Sequence, residues 1–127
     1  MRILFRSGAT VFLVFALAHL AGHFQESPPA NDTERTLLEL MRRYSFPLPG
    51  ATRTMWDLFS GFSLMMSAQS AALGLLAWLV EPSRRMALVF ATAAAVFTAI
   101  SVAYFFAIPT ACLVLAALLF ALAAWRA

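Results

Sequence analysis

The chain has 127 residues, 62% of them hydrophobic, with a mean hydropathy of +0.81 and a formal net charge of +3. A soluble domain is about half apolar; here the apolar residues come in long runs, which excludes an ordinary soluble core and leaves room for one compact membrane bundle. The charge comes from arginine alone, set singly or in pairs at the ends of apolar runs, which argues for anchoring at a lipid–water interface and against nucleic-acid binding.

Arg2 and Arg6 precede an apolar run that ends at Phe24. From Gly8 that run is about 17 residues, roughly 25 Å of helix, which barely spans a hydrocarbon core. It reads as a first span over about 7–24. A basic start, a short apolar core and Ala16-Leu17-Ala18 also match a secretory signal cleaved after Ala18, with His19 as the new N-terminus. The run continues past Ala18, however, and the helices that follow need a partner, so a retained span is the better reading.

Residues 25–55 form a polar excursion. Pro28-Pro29 keeps the chain extended. Asn31-Asp32-Thr33-Glu34 then fits a capping box, with Glu34 reaching back. Leu37, Leu40, Met41 and Tyr44 fall on one face of the helix that follows, about 32–44. This amphipathic helix is expected to lie on the membrane surface or to cap the bundle. Pro47, Pro49 and Gly50 end it and turn the chain.

Three further spans are expected, over about 56–80, 86–107 and 110–125. Trp56 and Trp78 mark the interfaces of the second. Glu81-Pro82-Ser83-Arg84-Arg85 makes a tight connection, and Ile108-Pro109-Thr110 joins spans three and four as a close hairpin. Asp57, Ser60, Ser63, Ser67, Ser70 and Gly74 share one face of span two, and Ala87, Ala91, Ala94, Thr98 and Ser101 share one face of span three. Small and hydroxyl residues at this spacing let helices approach closely in lipid. The two stripes suggest that spans two and three pack tightly. Five arginines flank the side with the termini and the 81–85 turn, against four in the excursion. That margin favours cytoplasmic termini.

His19 and His23 are one turn apart on the first span, so both imidazoles share a face. Two histidines at this spacing can bind one metal ion, as in H-E-x-x-H enzymes. The glutamate of that motif is absent, and a third ligand must come from elsewhere. The bland alternative is hydrogen bonding to a neighbouring helix; ionisable groups within a span are nevertheless functional candidates. Asp57 is the candidate third partner, because its helix begins at the face where the first span ends. Thr54-Met55-Trp56-Asp57 equally reads as a helix cap. Glu26 is the only other nearby carboxylate.

Tyr104 and Cys112 fall at the depth of the histidines, the one reading as a belt residue and the other as a small buried hydrophobe. Gln69 is the one amide deep in a span and needs a partner on another helix, another copy or a ligand. Met55, Met65 and Met66 read as packing rather than as copper ligands. A bis-histidine haem is excluded, since two histidines on one turn cannot clamp a haem from opposite faces. The single cysteine excludes an intrachain disulfide and a cysteine metal cluster.

His19-x3-His23-Phe24, Pro28-Pro29-Ala30-Asn31, Met41-Arg42-x-Tyr44 and Thr54-Met55-x-Asp57-x3-Gly61-Phe62-Ser63 resemble a family of small bacterial four-helix integral membrane proteins to which no activity is assigned. The resemblance covers nearly the whole chain and concentrates in residues 19–66. It implies four spans and an uncleaved first helix, in a bacterial inner membrane. It brings no substrate with it.

The expected architecture is an all-α polytopic membrane bundle of four transmembrane helices, with one short amphipathic helix between spans one and two. The leading functional expectation is a binding protein. Its pocket would lie near the extracytoplasmic face, formed by His19, His23, Asp57 and Tyr104 and lidded by the 31–44 helix. The ligand would be a lipid-like molecule, or a divalent metal held by His19, His23 and Asp57. One alternative is an accessory or scaffold subunit of a larger membrane complex or homo-oligomer. Another is a small membrane enzyme in which a histidine acts as acid or base and Asp57 orients it.

Overall fold

A computed structural model describes residues 1–25 and 27–127. Four long helices run antiparallel in sequence: α1 (Arg2–His23), α3 (Met55–Leu79), α4 (Arg84–Tyr104) and α5 (Ala107–Trp125). Between the first two lie α2 (Asp32–Arg43) and a two-stranded hairpin, β1 (Ser45–Leu48) and β2 (Ala51–Thr54). All four long helices have the length and apolarity to cross a membrane. Only 22–33% of the most apolar stretch of each is buried inside the bundle. The remaining apolar surface has no protein cover and suits a lipid environment, so the chain has the form of a multi-pass membrane protein.

α1 sits centrally, packed along α3 on one side and α5 on the other, and α4 packs on α5. The order across the bundle is therefore α3–α1–α5–α4. This corrects the expectation that the small stripes of α3 and α4 meet each other. Ser67, Ser70, Gly74 and Ala77 of α3 are buried against α1 instead. A Cβ on Gly74 would stand 2.7 Å from the Leu13 side chain and 3.1 Å from the Ala9 carbonyl oxygen, which shows how closely those helices approach. Ala87, Ala94 and Ser101 of α4 are buried against α5, where Ser101 Oγ and Thr110 Oγ1 are 2.7 Å apart.

The core lies toward the end that holds both termini. Phe5 and Phe12 of α1, Phe90 of α4 and Phe120 of α5 interlock there, with Phe5 edge-on to Phe90 and Phe120 at 5.7 and 5.2 Å between ring centroids. Gly8 makes room for this cluster, since a Cβ would stand 2.9 Å from the Phe120 ring. Cleavage after Ala18 would remove Phe5, Ala9 and Phe12 from that core. At the same end the Arg6 guanidinium donates to the carbonyls of Ala77 and Trp78 and lies 5.2 Å from the Trp78 ring centre. It so satisfies carbonyls that the last turn of α3 leaves unpaired. Arg2 pairs with Glu81 at 2.6 Å.

The opposite end carries α2 and the hairpin. Asn31 Oδ1 accepts from Glu34 N–H at 2.9 Å, as a capping box requires. The Glu34 carboxylate reaches one residue further back than expected, to the N–H of Ala30. No residue of α2 is buried, and Leu37 and Leu40 stay more than half exposed. The helix therefore presents its apolar face outward rather than closing the bundle.

The hairpin is the element that sequence pattern did not show. Its turn is Pro49-Gly50, with Gly50 at a φ of 81°, the left-handed conformation that glycine adopts without strain. Thr54 closes β2 and also caps α3, so the hairpin feeds directly into the second span. The join between spans three and four also differs. The chain turns at Phe105-Phe106, and Ile108-Pro109-Thr110 already lies in the first turn of α5. Proline is at home there, because first-turn N–H groups have no helical acceptor.

Candidate functional site

Ser63 stands between the two histidines. Its Oγ is 3.0 Å from His23 Nδ1 and 3.2 Å from His19 Nε2. All three side chains are half-buried. The arrangement follows from local rules: four-residue spacing puts both imidazoles on one face of α1, and the small-residue stripe of α3 gives that face a hydroxyl to meet. A serine carries one hydroxyl proton. It can donate to only one of the two rings, so any hydrogen bond to the other must come from that ring's own N–H. His19 also leans on the Phe15 ring at 5.8 Å, and His23 on Phe24 at 5.0 Å.

A cavity of about 620 Å³ surrounds this triplet, walled by α1, α3, the start of α5 and the Phe105-Phe106 turn. Trp56, Phe59 and Cys112 stand in its wall. Next to it, between α3 and α4, lies a more apolar groove of about 280 Å³. The two share Phe15, Met66, Phe105 and Pro109, so they lie side by side in one cleft with those four residues at their border. The groove carries Gln69, Ser70 and Ser101 along otherwise hydrophobic walls. Gln69 has no hydrogen-bond partner among the described residues, and it lines the groove.

Of the expected site residues, the structure brings His19 and His23 together but not Asp57 or Tyr104. Thr54 N–H donates to Asp57 Oδ2 at 2.8 Å, and Asp57 N–H donates to Thr54 Oγ1 at 3.1 Å, a complete capping box. The carboxylate is exposed and lies outside the cavity wall. The physical reason is depth. Ser63, not Asp57, stands opposite the histidines, and six residues of helix place Asp57 about 9 Å further out. Tyr104, at the end of α4, is 81% exposed and does not line the cavity. Among the described residues no three of histidine, cysteine, aspartate and glutamate are grouped to hold a metal ion, so the set His19, His23 and Asp57 is not assembled. Glu26 lies outside the described residues. Among those described, α2 contributes nothing to the cavity wall, so the structure gives it no part as a lid.

Ser63 is the residue that sequence reasoning passed over as a site member. Its signal was present in the hydroxyl stripe on α3, but the register between α1 and α3 that selects Ser63 from among Ser60, Ser63 and Ser67 is a tertiary fact. No family model, no curated protein and no solved structure matches the chain.

Proposed function

We propose that this protein binds an amphipathic, lipid-like molecule in the cleft, with its polar head at His19 and His23 and its hydrocarbon part between α3 and α4. The observation that carries the reading is adjacency: a pocket with polar groups near one end of the bundle shares four wall residues with an apolar groove. Binding sites of this kind are mostly apolar with a few converging polar groups. A lipid-like ligand fits better than a metal ion, since the imidazole pair has no grouped third ligand among the described residues. The site would face the extracytoplasmic side of a bacterial inner membrane, in keeping with the arginine bias toward the terminal end and with the resemblance carried by residues 19–66.

The test is to fill the groove without touching the histidines. Ile100 borders the groove from α4 and is 46% exposed, so a larger side chain has room there. Mass spectrometry of the protein purified in native lipid should find a retained amphiphile on the wild type. The Ile100→Trp protein should lose most of it. Equal occupancy in the two proteins would overturn the reading.

A further inference from the structure

We infer that the amphiphile is a single-chain carboxylate, a long-chain fatty acid, with its head group held between His19 and His23. This rests on the cleft being a lipid-like site and names the chemistry of its head.

The first ground is convergence. Two ring nitrogens from consecutive turns of one helix lie 3.0 and 3.2 Å from the same oxygen atom, Ser63 Oγ. They define a place where an oxygen already sits. A carboxylate offers two oxygens and about four acceptor positions. Neutral imidazoles turned to present His19 Nε2–H and His23 Nδ1–H would supply two donors, with the carboxylate taking the place that Ser63 Oγ now holds between them. No proton transfer is needed.

Charge is the second ground. No aspartate or glutamate is among the described residues of the cavity wall. Asp57, the closest acid in α3, has one carboxylate oxygen turned back onto the Thr54 N–H. A negative head would therefore meet donors and, among the described residues of the wall, no acid, in a place where lipid and aromatic rings keep the dielectric low.

Chain number is the third ground. The groove that adjoins the cavity runs between α3 and α4. Another depression at this end is a shallow surface on the far side of Phe105 and Phe106, against α4 and α5. The groove holds about 280 Å³, room that a single hydrocarbon chain would fill.

The experiment uses full-length protein in phosphatidylcholine nanodiscs. A conjugated-polyene fatty acid and the alcohol of the same chain are titrated by fluorescence, with diacyl phosphatidic acid as competitor. Hydrogen bonds to an ionised group are roughly twice as strong as neutral ones, so the acid should bind about tenfold more tightly than the alcohol. His19→Ala/His23→Ala should shrink that preference to about twofold or less. His19→Gln/His23→Asn, which keeps an N–H near each ring-nitrogen position, should restore much of it and guards against misfolding of the alanine protein. Equal binding of acid and alcohol by the wild type would overturn the carboxylate while leaving a lipid site in place. Displacement by phosphatidic acid at lower concentration than by the fatty acid would overturn the single-chain assignment. Failure of both probes to bind would overturn this inference together with the cleft reading.

Discussion

The two ends of this bundle are built from the same four helices and differ in what fills the space between them. At the terminal end, four phenylalanine rings interlock, a glycine lets one ring sit against α1, and Arg6 closes the last carbonyls of α3. At the histidine end, the middle of the bundle holds a hydroxyl between two imidazoles and a cleft that continues toward lipid. In a membrane, helix association draws on packing and interhelical hydrogen bonds rather than on water exclusion. A close-packed end can therefore hold the helices in register while the other end keeps a cavity that would otherwise collapse. Stability should reside in one end and ligand binding in the other.

The strongest way to break that division is Phe120→Ala. Phe120 is fully buried and touches three other rings. Its truncation should cost about 3 kcal/mol, the low end for a buried phenylalanine, read as unfolding in mixed micelles. A loss near zero would mean that the terminal end does not carry the fold. Gly74→Val comes next, at about 2 kcal/mol, because overpacking forces neighbours out of position. Its Cβ would press on Leu13 and on the Ala9 carbonyl, separating α1 from α3. If the variant unfolds like wild type, the close approach of α1 and α3 at that level is not needed.

Thr54→Ala addresses the join between hairpin and span, where loss of an N-cap typically costs about 1 kcal/mol. It also separates the two roles that sequence allowed for this segment. Asp57→Asn should weaken the same cap and leave retention of a bound amphiphile unchanged, since the carboxylate lies outside the cavity wall. A drop in retention with Asp57→Asn would return Asp57 to the site.

What was legible in the sequence was whatever depends on neighbours along the chain. The four spans follow from apolar runs, the Asn31 cap from its tetrapeptide, and the shared face of His19 and His23 from helical spacing. What was not legible depends on how one helix is placed against another. The small stripes on α3 and α4 announced close contact but not with which partner, and each went to the other neighbour, α1 and α5 respectively. The hairpin has strands of four residues with Pro47 inside the first, too short and too irregular for an alternating pattern to show. Ile108-Pro109-Thr110 reads as the join of spans three and four, whereas Pro109 lies in the first turn of α5, where a proline breaks nothing.

The smallest expected effect is also the one that probes the comparison most finely. Ser63→Ala removes the hydroxyl that links both imidazoles to α3. Interhelical hydrogen bonds within membranes average about 0.6 kcal/mol, so the loss of stability should be of that order. The terminal core, which involves neither α3 at this depth nor the histidines, should hold the bundle together. Both ring nitrogens would then be released from the serine but would keep their positions one turn apart on α1. If the pair recognises a ligand head, retention of the amphiphile by Ser63→Ala should stay at the wild-type level or rise, because the ligand no longer competes with an internal hydroxyl. If the His–Ser–His contact serves only to hold α1 to α3, retention should fall in step with stability. The sign of that change, measured on one purified variant by mass spectrometry beside its unfolding curve, separates a binding site from a structural clasp.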